Sequence, residues 1–268
     1  MSNDSNEAKP PLILHRDGAV ATITINDAPM NRMSLAYMDE LEGLVEDLAN
    51  DRSVRAVIFT GAGDKNFSVG MDLKQLPQGV KDKGGIDAVF DQRLRVLAAI
   101  EQMPKPTIAV LFGYCLGGGL ELPLACHFRF AAEAGAKIGL PEMDLGSVPA
   151  WGGSARLTRC VGRDQALDMI LRGKKISGPE ALRIGLVSEV WPLEEIEARA
   201  LEVAKELAAM PPIAVAGVLR CVINAEHLTL EESLVDERRA VMATMGTKDQ
   251  REGMQAFLEK RRPHFTGE

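Results

Sequence analysis

An α/β fold with helices appended at its C-terminal end is what this 268-residue sequence predicts, on three observations. Apolar runs of strand length alternate with amphipathic stretches over roughly the first 190 residues, the order of a sheet flanked by helices. Two of those runs, VRAVIFTGAG and PTIAVLFGY, are continuously apolar and meet glycine at their ends, as strands covered on both faces do. Beyond Leu193 only a helical period remains, broken at Pro211-Pro212.

Taken in order, MSNDSNEAKPP is polar and acidic and reads as a disordered tail over residues 1–11. LILHRDGAVATITIN alternates about Asp17-Gly18, the pattern of a hairpin. Ser34 then stands where an N-cap belongs, before Leu35, Met38, Leu41, Leu44, Val45 and Leu48 at helical spacing. After the first apolar strand come the loop DKNFSVGMDLKQL and a charged, glycine-containing stretch without a predicted element, then a helix over 88–103. The second strand leads through GYCLGGG into a short helix near LELPLAC. HFRFAAE and AKIGLPEM read as further strands, and SARLTRCVG, RDQALDMILRG and SGPEALRIG as helices closed by glycine. LVSEVWP is a last strand. The division predicted is an α/β core over 12–192 and a helical part over 193–268.

Composition narrows the function. Apolar residues make up 46% and charged residues 26%, as in ordinary soluble globular proteins. Aromatics at 4% are too few for a base-stacking surface, and a net charge of −7 argues against nucleic-acid or membrane-surface partners. Cys115, Cys126, Cys160 and Cys221 form no CxxC pair, and the four histidines fall at no metal-ligand spacing. The expectations are reduced thiols, no metal, no redox cofactor, and a cytoplasmic protein without a leader or membrane span.

Chemistry concentrates in two loops, NFSVGMDLK and GYCLGGGLE. Glycines entering a helix leave main-chain N–H groups unpaired at the positive end of the helix dipole, and two such loops side by side would aim them at one oxygen. Glycine alone fits equally well a helix packed closely on a strand. Two glutamates add weight to the first reading. Glu121 falls in a first helical turn, where the dipole favours the carboxylate. Glu142 lies among Leu140, Pro141, Met143 and Leu145, a setting that favours the protonated acid. Carboxyls in different environments divide acid and base roles.

With these stretches in view, the sequence resembles the enoyl-CoA hydratase/isomerase (crotonase) superfamily. NFSVGMDLK, GYCLGGGLEL, IGLPEMDLGSVPAWGGSARL, GLVSEVWP and GMQAFLEKR match it in letters, order and separation, over nearly all of the chain after the tail. The resemblance implies a crotonase-like spiral of ββα units with C-terminal helices used in trimerisation, giving a trimer or a dimer of trimers. It implies an oxyanion hole from the Met71 and Gly118 amides, with a side chain at Gly118 blocking the approach of the carbonyl. Glu121 and Glu142 match the hydratases' catalytic pair, which favours reversible hydration of a 2-enoyl-CoA to a 3-hydroxyacyl-CoA, coenzyme A being part of the substrate.

The same alignment puts the Met71–Lys74 backbone, hence Asp72 and Leu73, along the thioester and adenine, with Ser68 in the same loop. Lys65 and Lys74 match lysines near the CoA phosphates. Phe257 and Lys260 match residues that reach the nucleotide, often from a neighbouring subunit. Trp151 departs from the pattern, since hydratases typically carry small residues after the proline of GSVP. It is expected beside the acyl pocket, narrowing it or stacking on a flat acyl group. An isomerase, a ring-opening acyl-CoA hydrolase and an RNA-binding branch of the superfamily stand as alternatives.

Overall fold

The N-terminal hairpin forms where the alternation places it, β1 (Leu12–Asp17) pairing antiparallel with β2 (Val20–Ile25). The computed structural model describes residues 9–268, so residues 1–8 of the expected tail lie outside the described residues. Its last two prolines are held in place, Asn26 donating from its side chain to Pro10 O and from its main chain to Pro11 O. Ser34 caps α1 (Leu35–Asn50) by accepting from Tyr37 N–H, and Met38, Leu41, Val45 and Leu48 turn into the core. β3 (Ala56–Gly61) is buried along its whole length, as a strand covered on both sides must be.

Next come α2 (Leu76–Lys83) and α3 (Ile86–Glu101). No helix was expected at α2, because its charged sequence has no apolar stripe. Pro77 in its first turn and left-handed Gly84 at its end supply the start and stop. The run read as one strand is two, β4 (Thr107–Leu111) and β5 (Tyr114–Leu116), separated at Phe112-Gly113. The chain continues through α4 (Gly118–Ala125), β6 (Phe128–Ala132), β7 (Lys137–Gly139), α5 (Gly153–Val161), α6 (Arg163–Leu171), α7 (Gly178–Arg183) and β8 (Glu189–Trp191). It ends in α8 (Leu193–Ala208), α9 (Pro212–Asn224), α10 (Leu230–Thr244) and α11 (Lys248–Glu259).

The strands form a large sheet in the order β1-β2-β3-β4-β6-β8, parallel from β2 onward, and a small parallel sheet of β5 and β7. Single bridges, Ser68 with Cys115 and Ile138 with Ile176, widen the small sheet. Each turn of chain gives one strand to the large sheet, one extended piece to the small sheet, then a helix. β3, Ser68 and α2–α3 make one turn, β4, β5 and α4 the next, β6, β7 and α5 a third. The turns stack as a spiral, which brings the loops following each large-sheet strand beside one another.

Helix α8 buries Ile196, Ala200, Ala204 and Ala208, one per turn, against β2, β3, β4 and β6. The first C-terminal helix therefore belongs to the core, and packing separates the helical part after α8 rather than at residue 193. α9 and α10 pack on each other while exposing Val218, Val222, Leu234, Val241 and Met242. No single helix among the described residues is long and apolar enough to cross a membrane.

Candidate active site

The small sheet ties the two glycine-bearing segments together. Phe67 N–H donates to Phe112 O (2.8 Å), Ser68 N–H to Tyr114 O (3.0 Å), and Leu116 N–H to Ser68 O (3.0 Å). Ser68 itself is buried, its hydroxyl donating to Asn31 O (2.6 Å) and accepting from Gly70 N–H (3.0 Å). Gly70 has φ +89°, and a Cβ there would stand 2.7 Å from Leu116 O and 3.0 Å from Gly118 N. Only glycine permits that approach. It brings the Met71 and Gly118 amides into one neighbourhood.

Both amides are unengaged. Met33 N–H donates to Gly70 O and Asp72 N–H to Met33 O, a pairing that leaves the Met71 N–H facing away from it. Gly118 opens α4, where no intrahelical acceptor is available to its N–H. Neither N–H has an acceptor among the described residues.

Three residues further into α4, Glu121 is 2% exposed, and its Oε1 accepts from Trp151 N–H (2.8 Å) and Gly153 N–H (2.9 Å). Burial pushes its pKa up to about 7; those two bonds lower it and the Glu142 charge adds to the rise. This corrects the expectation of a dipole-favoured carboxylate. A helix terminus contributes about 0.3–1 kcal/mol, less than the cost of ionising a carboxyl this deeply buried.

Glu142 opens a one-turn 3-10 segment (Glu142–Leu145) and is partly buried. Burial raises its pKa, as the apolar flanks predict. Its Oε2 is buried with no hydrogen-bond partner among the described residues, while its Oε1 lies 3.2 Å from where a Gly117 Cβ would be.

Trp151 is 3% exposed. Its main chain is fixed at both ends, the N–H donating to Glu121 and the carbonyl accepting from Arg156 Nη1 (3.0 Å). Arg156 is clamped in turn by two bonds to the Glu101 carboxylate (2.8 and 3.1 Å). The guanidinium of fully buried Arg93 lies 5.9 Å from the centroid of the indole. Burial lowers the Arg93 pKa, and Asp39 and Glu42 counter it. A Cβ on Gly118 would meet three consecutive atoms of the six-membered ring at 2.3, 2.7 and 2.9 Å. A side chain at Gly118 would therefore meet the indole.

Met71, Leu73, Gly118, Glu121, Glu142 and Trp151 line one cavity of about 360 Å³. Val69, Leu76, Phe90, Leu145 and Val148 also line it, none of them a site candidate from the sequence. Val69, Leu145 and Val148 lay within the quoted motifs, where their apolar character was the available signal. Leu76 and Phe90 had none, because α2 and α3 bring them in from outside the motifs.

The remaining candidates lie outside the cavity lining. Ser68 holds the loop. Asp72 accepts from Lys74 N–H (3.2 Å) and caps a short 3-10 turn (Leu73–Gln75). Lys65 is solvent-exposed beside Asp64 at 3.7 Å, and Lys74 is exposed. Phe257, 81% exposed, and Lys260, the left-handed residue ending α11, lie on the C-terminal helix. Among the described residues no cluster of three or more His, Cys, Asp or Glu could hold a metal ion.

The chain is similar to known proteins in sequence and in fold. The enoyl-CoA hydratase/isomerase family profile matches residues 15–268. A Bacillus subtilis protein named probable enoyl-CoA hydratase is 40% identical over 256 residues, covering 94% of this chain and 97% of that relative. The short-chain-enoyl-CoA hydratase of Clostridium acetobutylicum is 34% identical over 252 residues, covering 94% and 95%. The crystal structure of an enoyl-CoA hydratase from Bacillus anthracis matches with a TM-score of 0.90 at 37% identity, over 96% of this chain and 100% of that one. The chain belongs to the enoyl-CoA hydratase/isomerase family, a family of enzymes, and shares its crotonase fold.

Proposed function

We propose that the protein adds water reversibly across the C2=C3 bond of a 2-enoyl-CoA, giving a 3-hydroxyacyl-CoA. One observation carries this reading: two unengaged main-chain N–H groups and two carboxyls line the same largely apolar cavity. The thioester oxygen sits between Met71 N–H and Gly118 N–H, at the positive end of α4, where the charge of an enolate develops. Losing one such donor typically costs roughly 3–4 kcal/mol of transition-state stabilisation.

Glu121 and Glu142 hold a water between them. Glu121 takes its proton as the oxygen bonds to C3, and a carboxyl poised near pH 7 suits that exchange. The electron pair moves onto the thioester oxygen and returns as C2 takes a proton from Glu142. A following water carries the proton from Glu121 back to Glu142. No metal or redox partner enters the balance.

For recognition of coenzyme A the support is the family resemblance. Lys65 and Lys74 present their amines to solvent, where phosphates can reach them, and Leu73 already borders the cavity. The exposed apolar residues of α9 and α10 support assembly as a trimer or dimer of trimers, which would let Phe257 and Lys260 serve a neighbour's nucleotide.

The test is turnover of crotonyl-CoA by the purified protein. The conjugated-thioester absorbance should fall, and the product should gain the mass of one water. An unchanged mass would make the enzyme an isomerase, and no reaction with any linear, branched or cyclic enoyl-CoA would remove the assignment.

A further inference from the structure

We propose that Trp151 is the specificity-determining wall of the acyl pocket and confines the enzyme to short-chain 2-enoyl thioesters; this rests on the hydratase reading of the same site.

Three features of the indole lead there. The first is its position. A Cβ on Gly118 would stand 2.3 Å from the middle of three consecutive ring atoms and 2.7 and 2.9 Å from its neighbours, too close to both for a position in the ring plane, so it would sit above the plane over that atom. The ring face thus lies against Gly118, whose amide points to the thioester oxygen. On the hydratase reading the indole stands beside the amide that binds the thioester and forms part of the cavity wall, so it limits the room left for a longer chain. The face covered by Gly118 is no platform for an aromatic acyl group, and of the two roles expected from the sequence, narrowing is the one proposed.

The second is immobility. Trp151 is held through its N–H by Glu121 and through its carbonyl by Arg156, with the Arg93 guanidinium near its ring. These bonds fix the main chain of Trp151, and the side chain, only 3% exposed, is packed among its neighbours, so moving the ring aside for a longer chain would require those neighbours to shift. The third is the remaining room. At about 360 Å³ the cavity is near the lower end of the roughly 300–1,000 Å³ usual for small-molecule sites. Apart from the two carboxyls and Ser147, its walls are apolar side chains and glycine, which suits an uncharged hydrocarbon chain.

The experiment compares kcat/KM for crotonyl-CoA and trans-2-decenoyl-CoA in the wild type, Trp151→Ala and Trp151→Leu. The wild type should favour the four-carbon substrate by at least about a hundredfold, since a single misfitted methylene is worth about tenfold or more. Both variants should shrink that ratio at least about tenfold, chiefly through a lower KM for the longer substrate. A general loosening of the fold would lower both substrates together and leave the ratio unchanged. Trp151→Leu keeps an apolar filler should the alanine protein be unstable. Calorimetric binding of saturated butyryl-CoA and decanoyl-CoA reads the same wall without chemistry. If neither substrate turns over but butyryl-CoA binds in strong preference, the hydratase reading fails and the wall stands. If the wild type shows no length preference, or the variants keep the wild-type ratio, the wall is overturned.

Discussion

Glu121→Gln and Glu142→Gln are each expected to lower kcat for crotonyl-CoA hydration by about a thousandfold with KM changed only a few-fold, the scale of a lost acid or base. Glutamine fills the same volume, and its side-chain oxygen at position 121 can still accept from Trp151 and Gly153 N–H. The loss would therefore report proton transfer rather than collapse of the site. A residual rate within about tenfold of the wild type for either variant would remove that residue from the chemistry.

The Glu121 variant carries a second readout with a definite sign. Its pKa is raised from about 4.5 to about 7 in the folded protein. Protonated Glu121 supports folding fully below about pH 4.5, and that support is lost as pH rises through 7, where a buried carboxylate must be carried. Glutamine does not titrate. Relative to the wild type, Glu121→Gln should become more stable from pH 5 to pH 8, by on the order of 2–3 kcal/mol. Denaturant unfolding at both pH values measures this, and a constant difference would contradict the burial argument.

Gly118→Ala should have the other large effect. A methyl group would stand 2.3 Å from the Trp151 ring, whose side chain is buried and whose main chain is fixed at both ends. Overpacking of this kind costs about 1–3 kcal/mol of stability. The backbone shift needed to relieve it moves the Gly118 amide, so hydration should fall by about a hundredfold or more. Trp151→Ala removes the obstacle. In the double variant the stability cost of the added methyl should disappear, a coupling measurable as a double-mutant cycle. If alanine at 118 costs as much without the tryptophan as with it, the indole is not what excludes a side chain there.

What could be read from the chain, and what could not, follows from the range of the forces involved. The apolar runs that became β3 and β4 carry their signal locally, and so does the Ser34 cap. The glycines and both glutamates of the cavity were visible because their residue types are unusual for their settings. α2 was invisible because it holds its place without an apolar stripe. The state of Glu121 differs from its helix-position expectation because that position is local, whereas its burial is set by the tertiary packing of α4, which includes Trp151 and Gly153 some thirty residues away. Phe90 and Leu76 reach the cavity only once α2 and α3 fold over it. For Trp151, the sequence located an unusual residue but not the ring face turned to Gly118.

The proposed hydration requires two amides converging on one thioester oxygen beside the paired carboxyls. A crystal structure with butyryl-CoA, which has no double bond to hydrate, tests this most directly. It should place the thioester oxygen about 2.7–3.1 Å from both Met71 N and Gly118 N, with C2 and C3 facing Glu121 and Glu142. A thioester oxygen bound by neither amide, or an acyl chain lying outside the cavity, would contradict it.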